Sequence, residues 1–150
     1  MSDHASATRQ RSRRFTAVPR RRFRRCPEGV SGRVEQVPPE DCLFCKIVAG
    51  EIPAELVHET DTAVAFRDLN PQAPTHVLVV PRHHFANAAE LADGEPGTVA
   101  ELVRVARAVA EGDGVEDYRL VFNTGAGVGQ TVFHTHLHVL GGRAMTWPPG

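Results

Sequence analysis

The hydrophobic and polar positions divide the chain into an irregular first part and a patterned remainder. Up to about residue 39 the apolar residues follow neither a helical nor a strand period. Between residues 98 and 111, apolar side chains recur at helical spacing, at Val99, Leu102, Val103, Ala106, Val109 and Ala110. The charged residues Glu101, Arg104, Arg107 and Glu111 fall on the other side of such a helix. This spacing predicts an amphipathic helix over residues 98–111.

Shorter apolar runs with turn-like flanks predict five β-strands. The strands are expected at residues 55–59, 62–67, 76–81, 118–123 and 133–140. A short helix is expected before them, capped by Asp41, running through Val48 and ended by Gly50. Because the strands are mostly adjacent in sequence, five strands and two helices predict an antiparallel α+β domain.

Charge is distributed unevenly along the 150 residues. Residues 1–40 carry ten arginines against four acidic residues, whereas residues 41–150 carry seven lysines and arginines against fourteen acidic residues. Like charges in the arginine clusters repel, which predicts a disordered extension over residues 1–39 and one folded domain over residues 40–150. The alternatives are a nucleic-acid-binding arm, a transit peptide, or an untranslated segment before a start at Val30, Val34 or Val37.

The three cysteines bear on compartment and on metal binding. Their number is odd, and Cys42 and Cys45 form a C-x-x-C pair, which suits a reduced compartment and a metal better than a disulfide framework. The pair alone also fits two buried thiols at a helix start. No apolar run approaches the ~20 residues of a membrane span, and no hydrophobic segment follows the first arginines. We therefore expect a cytoplasmic protein with no membrane partner.

Three histidines alternate along the last predicted strand. Because side chains alternate across a strand, His134, His136 and His138 are expected to share one face. This arrangement fits either a metal held by two of the rings or an imidazole that attacks phosphorus.

The loop before the histidines helps to decide between these two alternatives. Gly125, Gly127 and Gly129 allow close backbone approach and an anion-binding concavity, and Gln130 and Thr131 add side-chain donors. The loop is not a Walker loop, since a strand follows it without Gly-Lys-Ser/Thr. A glycine-rich loop leading into a histidine strand favours phosphate chemistry.

Residues 134–139, His-Thr-His-Leu-His-Val, match the H-φ-H-φ-H-φ-φ signature of the histidine-triad superfamily, with a polar Thr135 at the first φ position. The match extends to Gly129-Gln130-Thr131, to Leu140-Gly141-Gly142-Arg143 and to the terminal Trp147-Pro148-Pro149-Gly150. Upstream, residues 50–54 and 68–76 are also similar. From about residue 41 to its end the chain resembles the Hint branch of this superfamily. The resemblance implies a histidine-triad fold.

The resemblance also implies an activity and a role for each matching residue. The activity is hydrolysis of purine nucleoside phosphoramidates, such as adenylate joined to an amine, or of aminoacyl-adenylates. The middle histidine, His136, resembles the nucleophile that forms a nucleotidyl-imidazole intermediate. Groups similar to those that hold the nucleotide phosphate are His138, Asn123, Gly129, Gln130 and Thr131, where relatives usually carry Ser. His76 resembles a residue that buttresses the histidine strand, Asp68 a ribose contact, and Phe44, Leu69 and Ile52 purine-pocket walls.

The resemblance further implies a metal site separate from the chemistry. In histidine-triad proteins that keep the C-x-x-C pair, the last histidine of a Val-Pro-x-x-His pattern and the first triad histidine complete the site. The implied ligands are Cys42, Cys45, His84 and His134. Four such ligands form a closed tetrahedral set, which indicates structural zinc.

Partners and alternative functions follow from the same resemblance. It implies a homodimer whose two sheets join into one of ten strands, with Trp147 reaching the partner's leaving-group side or packing at the interface. The substrate is expected to be an AMP or GMP derivative. The alternatives are a zinc-stabilised protein that binds nucleotides, or nucleic acid through the arginine-rich tail, without turnover, and a nucleotidyltransferase.

Overall fold

A computed structural model of the chain describes residues 40–149. Its five strands form one antiparallel sheet in the order β1-β2-β3-β5-β4. The strands are β1 (Leu56–Glu59), β2 (Ala63–Arg67), β3 (Thr75–Pro81), β4 (Tyr118–Phe122) and β5 (Leu137–Gly141). The predicted α+β class with an antiparallel sheet is confirmed. The predicted extension over residues 1–39 lies outside the described residues.

In the described residues three α-helices accompany the sheet: α1 (Leu43–Val48), α2 (Ala88–Gly94) and α3 (Pro96–Gly112). A short 3-10 helix covers Ala126–Val128. The prediction of a cap by Asp41 is wrong, because α1 begins after Cys42 without a side-chain cap and the Asp41 carboxylate lies 3.7 Å from Lys46 Nζ instead. The helix α2 was not predicted, since seven residues are too few to show a period. Among the described helices, none has the length and apolar character needed to cross a membrane.

Helices cover both faces of the sheet. Alternate residues of the strands face α3, where a buried core is formed by Ala63, Ala65, Val77, Val79, Leu102, Val105, Ala106, Val109, Leu137 and Val139, among others. The opposite face packs against α1 through Cys42, Phe44, Val64, Phe66, Leu78 and Val80. The even-numbered residues of β3 and β5 therefore face α1, and this is the face that carries the histidines.

The strand β5 begins later than predicted. It starts at Leu137, opposite Val79 on β3 and Phe122 on β4, rather than at residue 133. The physical reason is that the preceding segment bonds to the loop after β3: the N–H and the hydroxyl of Thr135 both donate to the Phe85 carbonyl, at 2.6 and 3.0 Å. His134 and His136 thus lie just before the strand, and His138 lies within it.

One polar network ties the end of α3 to the sheet beside the histidines. Both guanidinium amines of Arg67 donate to the Asp113 carboxylate, at 2.6 and 2.7 Å, and the Thr75 hydroxyl donates to it at 2.7 Å. Because Arg67 donates these bonds, the pKa of the Asp113 carboxyl lies below its ordinary value. The network joins α3 to the ends of β2 and β3.

Replacing Asp113 with asparagine should lower the free energy of unfolding by about 1–2 kcal/mol at pH 7, because the two hydrogen bonds from Arg67 lose their charged acceptor. The effect is no larger because solvent partly screens the Arg67–Asp113 pair. A depressed pKa gives stability above the unfolded-state pKa and loses it as pH falls through the folded-state value. The difference between wild type and Asp113→Asn should therefore shrink below about pH 4. Urea denaturation at pH 7 and pH 3 measures this. The control is Glu111→Gln, which removes the exposed ion pair with Arg107 and should change the free energy of unfolding by less than about 0.5 kcal/mol.

Candidate active site and metal cluster

His136 is buried and held by a backbone group. Its Nδ1 lies 2.7 Å from the carbonyl oxygen of His134, and the ring of Phe44 packs against it edge-on with centroids 5.2 Å apart. A carbonyl oxygen can only accept, so the proton of a neutral His136 ring must sit on Nδ1. The lone pair is then on Nε2. His136 also lines a cavity, so it has the tautomer that a nucleophile needs.

His138 is oriented by a second histidine, His76. The N–H of Gln72 donates to His76 Nδ1 at 3.0 Å, which leaves the proton of a neutral His76 on Nε2. That Nε2 lies 2.9 Å from His138 Nδ1 and donates to it. His138 therefore carries its own proton on Nε2, as a donor.

The electrostatic surroundings keep both rings neutral. Burial, together with the smaller effects of the neighbouring His136 and His76, lowers the pKa of His138 to about 4. Burial also lowers the pKa of His76, against the opposing pull of Asp68, whose Oδ2 lies 3.4 Å from its Nε2. Near neutral pH both rings are thus uncharged, and hydrogen bonds run from Gln72 to His76 and from His76 to His138.

The second cluster joins α1 to the segments around it. The Sγ and Nδ1 atoms that can serve as metal ligands, from Cys42, Cys45, His84 and His134, all lie within 4.8 Å of one another. The Nδ1 of His134 is 3.5 Å from Cys42 Sγ and 3.4 Å from Cys45 Sγ, and His84 Nδ1 is 3.4 Å from Cys45 Sγ. Bond lengths to tetrahedral zinc give a sulfur-to-nitrogen edge of about 3.6 Å. The prediction of a cluster suited to structural zinc is confirmed.

Protonation in this cluster also fits a metal. His134 Nε2 lies 2.9 Å from the carbonyl of Pro81 and donates to it, so the Nδ1 lone pair points toward the thiols. Burial lowers the pKa of His134 to about 4, which keeps the ring neutral. Burial and the adjacent Cys42 raise the pKa of the Cys45 thiol to about 12 without a cation. A bound dication would reverse that shift, because it binds the thiolate.

Asp68, His76 and His138 also bring ligand-type atoms within 4.8 Å of one another. Their hydrogen bonds distinguish them from the cysteine cluster. The Nε2 of His76 carries a proton because its Nδ1 accepts from Gln72, and a protonated nitrogen cannot ligate a metal. These three side chains are therefore suited to fixing which nitrogen of His138 carries the proton, rather than to holding an ion.

The cavity beside the histidines has an apolar end and a polar end. Its volume is about 280 Å³. The polar end has His136, His138, Asp68, Thr131 and the backbone of Gly129. The apolar walls are Leu43, Phe44, Ile47, Ile52, Pro53, Ala54, Phe66, Leu69, Leu78 and Val132. The predicted walls Phe44, Ile52 and Leu69 are all among them.

The glycine-rich loop contributes in a different way from the one expected. Gln130 is buried, and its side chain accepts from the Gly125 N–H and donates to the carbonyls of Ala86 and Val132, so it shapes the loop from within. The N–H of Gly129 donates to the Ala126 carbonyl at 3.1 Å, and the φ of Gly129 is +88°. The glycine therefore allows a tight turn at the edge of the cavity, and its predicted contact with the phosphate stays a prediction.

Two further predicted contacts differ in their placement. Thr131 is exposed at the cavity, where its hydroxyl can reach a ligand. Asn123 follows β4 and is not among the residues that line this cavity within the described part of the chain. Its predicted contact with the nucleotide stays a prediction.

Sequence reasoning missed the backbone groups that fix the histidine tautomers. The carbonyls of His134 and Pro81 and the N–H of Gln72 decide which nitrogen of His136, His134 and His76 carries the proton. Any residue type supplies a backbone carbonyl, so no residue pattern marks these acceptors.

Comparison with known proteins identifies the family. A family model described as the HIT domain matches residues 49–145. The chain belongs to the HIT family. An uncharacterized HIT-like protein of Synechococcus elongatus is 47% identical over 112 residues, which cover 74% of this chain and 98% of the relative. A 14 kDa zinc-binding protein of Zea mays is 44% identical over 111 residues, covering 72% of this chain and 87% of the relative.

Solved structures of HIT proteins agree with the fold. The crystal structure of a HIT family hydrolase from Legionella pneumophila is 50% identical, with a TM-score of 0.70, and the match covers 73% of this chain and 100% of that one. A HIT family hydrolase from Clostridium thermocellum is 40% identical, also with a TM-score of 0.70, over 73% of this chain and 96% of that one. The chain therefore has a HIT hydrolase-like fold. Its assignment to the Hint branch within the HIT family stays a prediction.

Proposed function

We propose that this HIT protein hydrolyses purine nucleoside phosphoramidates through a covalent nucleotidyl intermediate on His136. The observation that carries the proposal is the fixed tautomer of His136: its Nδ1–H donates to a backbone carbonyl, and it lines the cavity beside a second ring that presents a donor. A metal site needs lone pairs that converge. Here one ring offers a lone pair and its neighbour offers a proton.

In the first step His136 Nε2 attacks the α-phosphorus, so an N–P bond forms while the bond from phosphorus to the leaving amine breaks. The departing nitrogen takes a proton from solvent water, and the water molecule that attacks in the second step returns one proton to solvent. The His136 ring gains positive charge because it keeps its proton on Nδ1. The His134 carbonyl, 2.7 Å away, stabilises that charge. The Nε2–H of His138 and the hydroxyl of Thr131 are the groups that stabilise the phosphate oxygens.

In the second step water attacks phosphorus, the N–P bond to His136 breaks, and the nucleoside monophosphate leaves with the ring restored. Both steps develop charge on the same phosphate oxygens, so preorganised donors accelerate both. His76 contributes by holding His138, through the hydrogen bond at 2.9 Å.

The cavity indicates the substrate class. Its apolar walls suit the faces of a purine, and the Asp68 carboxylate at the polar end can accept from ribose hydroxyls. Most wall side chains are apolar, and the guanidinium of Arg67, which also lines the cavity, is already bonded to Asp113, so few groups are free to read the edge of a base. We therefore propose that both adenosine and guanosine derivatives are accepted.

We also propose that Cys42, Cys45, His84 and His134 bind zinc, as the name of the maize relative states for that protein. Bound zinc would supply structural cross-linking of three chain segments rather than a reactive group. The homodimer stays a proposal as well; β1 and β4 are the two edge strands at which a second sheet could join. The cytoplasmic location stays a prediction.

A turnover assay tests the function. The purified protein should release ammonia from adenosine 5′-phosphoramidate and from the guanosine compound with kcat/KM values within about tenfold of each other, since the apolar walls do not discriminate strongly between bases. Acid quenching during turnover should trap AMP covalently on the chain, and peptide mass spectrometry should place it on His136. Nucleotide binding without release of ammonia would instead indicate the binding-protein alternative.

A further inference from the structure

The turn between β2 and β3 is folded around His76. The N–H of Asp68 donates to the His76 carbonyl at 3.0 Å, and the Asp68 carboxylate accepts from the N–H of Asn70 at 2.7 Å. The Gln72 N–H then donates to His76 Nδ1. This last bond decides the tautomer of His76, and through it the proton that His138 presents to the cavity.

The segment after β5 packs against this turn. The Nε of Arg143 donates to the Gln72 carbonyl at 3.0 Å, and its Nη1 donates to the Ala144 carbonyl at 2.9 Å, which fixes the guanidinium. Gly142 has a φ of +80°, and a Cβ there would lie 3.0 Å from the Cβ of Pro74. Glycine thus allows both the backbone conformation and the close approach of the segment to the turn.

A second arginine fixes the same segment farther along. Arg119, on β4, donates from Nη2 to the carbonyl of Thr146 at 2.7 Å. The segment from Gly142 to Thr146 is therefore held at both ends. Because it is anchored to the sheet, it can act on the turn as a support.

We propose that Arg143 is a positioning residue for His138. Gln72 is held through both of its peptide groups: its N–H contacts the His76 ring, and its carbonyl accepts from Arg143. The bond from a guanidinium to a carbonyl is charge-assisted and directional. Without it the turn can rotate, His76 Nδ1 loses its donor, and His138 no longer has a fixed proton on Nε2. This inference rests on the proposed function, in which that proton contacts the phosphate.

Substitution of Arg143 tests the kinetic consequence. In the full-length protein, Arg143→Ala should lower kcat for adenosine 5′-phosphoramidate about tenfold and change KM less than about twofold. A tenfold loss is at the lower end of the effects seen when a residue that orients another functional group is removed. Arg143→Lys should retain at least about half of the wild-type kcat, because its ammonium can reach the one carbonyl. Arg104→Ala is the matched control, since Arg104 pairs with Glu101 on the exposed face of α3.

Ring-nitrogen NMR separates positioning from general loss of structure. Wild-type His76 should show a protonated Nε2 and an unprotonated Nδ1, whereas Arg143→Ala should show averaged nitrogen shifts for His76 and His138 and unchanged shifts for the control. Unchanged ring shifts or unchanged kcat in Arg143→Ala would overturn the proposal, and so would an Arg143→Lys variant as impaired as the alanine variant. A wild-type protein without turnover would contradict the proposed function alone, because the NMR arm still tests the contact.

Discussion

Replacing His136 with alanine is expected to lower kcat for adenosine 5′-phosphoramidate by at least about a thousandfold, because the substitution removes the proposed nucleophile. Affinity for AMP should change less than about threefold, since the apolar walls and Asp68 remain. Stopped assays with a wide enzyme range measure the rate, and calorimetry measures AMP binding. No covalent AMP should appear on acid quenching.

A second variant removes the nucleophile while keeping the surroundings of the ring. Phe44 packs against His136, so alanine leaves a void that can lower stability. In His136→Asn the side-chain amide can still donate toward the His134 carbonyl. Both variants should be inactive, and His58→Ala, on the edge strand β1 and outside the cavity lining, should keep wild-type kcat. Turnover at the wild-type rate in His136→Asn would remove the covalent mechanism.

The division of work among the three histidines could be predicted only in part from their spacing. Alternation placed the rings together, and the family resemblance separated a metal ligand, a nucleophile and a phosphate contact. The proton positions could not be predicted, because they depend on backbone carbonyls of Pro81 and His134. The strand start was predicted four residues early because Thr135 has strand character yet bonds to the Phe85 carbonyl.

Other differences also have physical causes. Gln130 is a polar residue beside a glycine-rich loop, a pattern that suggests a ligand contact, but burial directs its amide to three loop backbone groups. The helix α2 has a cap signal, since Asn87 accepts from the N–H groups of Ala89 and Glu90, but it lacks the length for a periodic pattern. Long periodic elements such as α3 could be predicted because their apolar residues reflect the core directly.

His134 links the two centres of the molecule. Its ring lies in the cysteine cluster, and its backbone carbonyl accepts the hydrogen bond from Nδ1 of His136, the proposed nucleophile. Phe44 makes a second link, because it lies between Cys42 and Cys45 in sequence and its ring contacts both histidines at centroid distances of 6.0 and 5.2 Å. Disturbing the cluster should therefore also disturb His136, the proposed nucleophile.

Replacing Cys42 with serine is accordingly expected to have the largest effect on stability. The variant should bind less than about a tenth of the zinc of wild type, and Tm should fall by about 10 °C or more, because the metal's binding energy contributes to folding. Elemental analysis of protein purified without added metal and thermal denaturation measure the two quantities. A wild-type protein that contains no zinc would contradict the metal site itself.

The control for this substitution is Cys26→Ser, which makes the same chemical change at a cysteine that is not one of the four proposed ligands and should leave zinc content and Tm unchanged. Chelation should lower the Tm of wild type toward that of Cys42→Ser without affecting the variant, since both treatments remove the same link between α1 and His134. Added zinc should restore the chelated wild type only. If Cys42→Ser lost its zinc but kept its Tm, the four side chains would hold a metal without stabilising the fold. The metal would then not help to hold the His134 carbonyl in place.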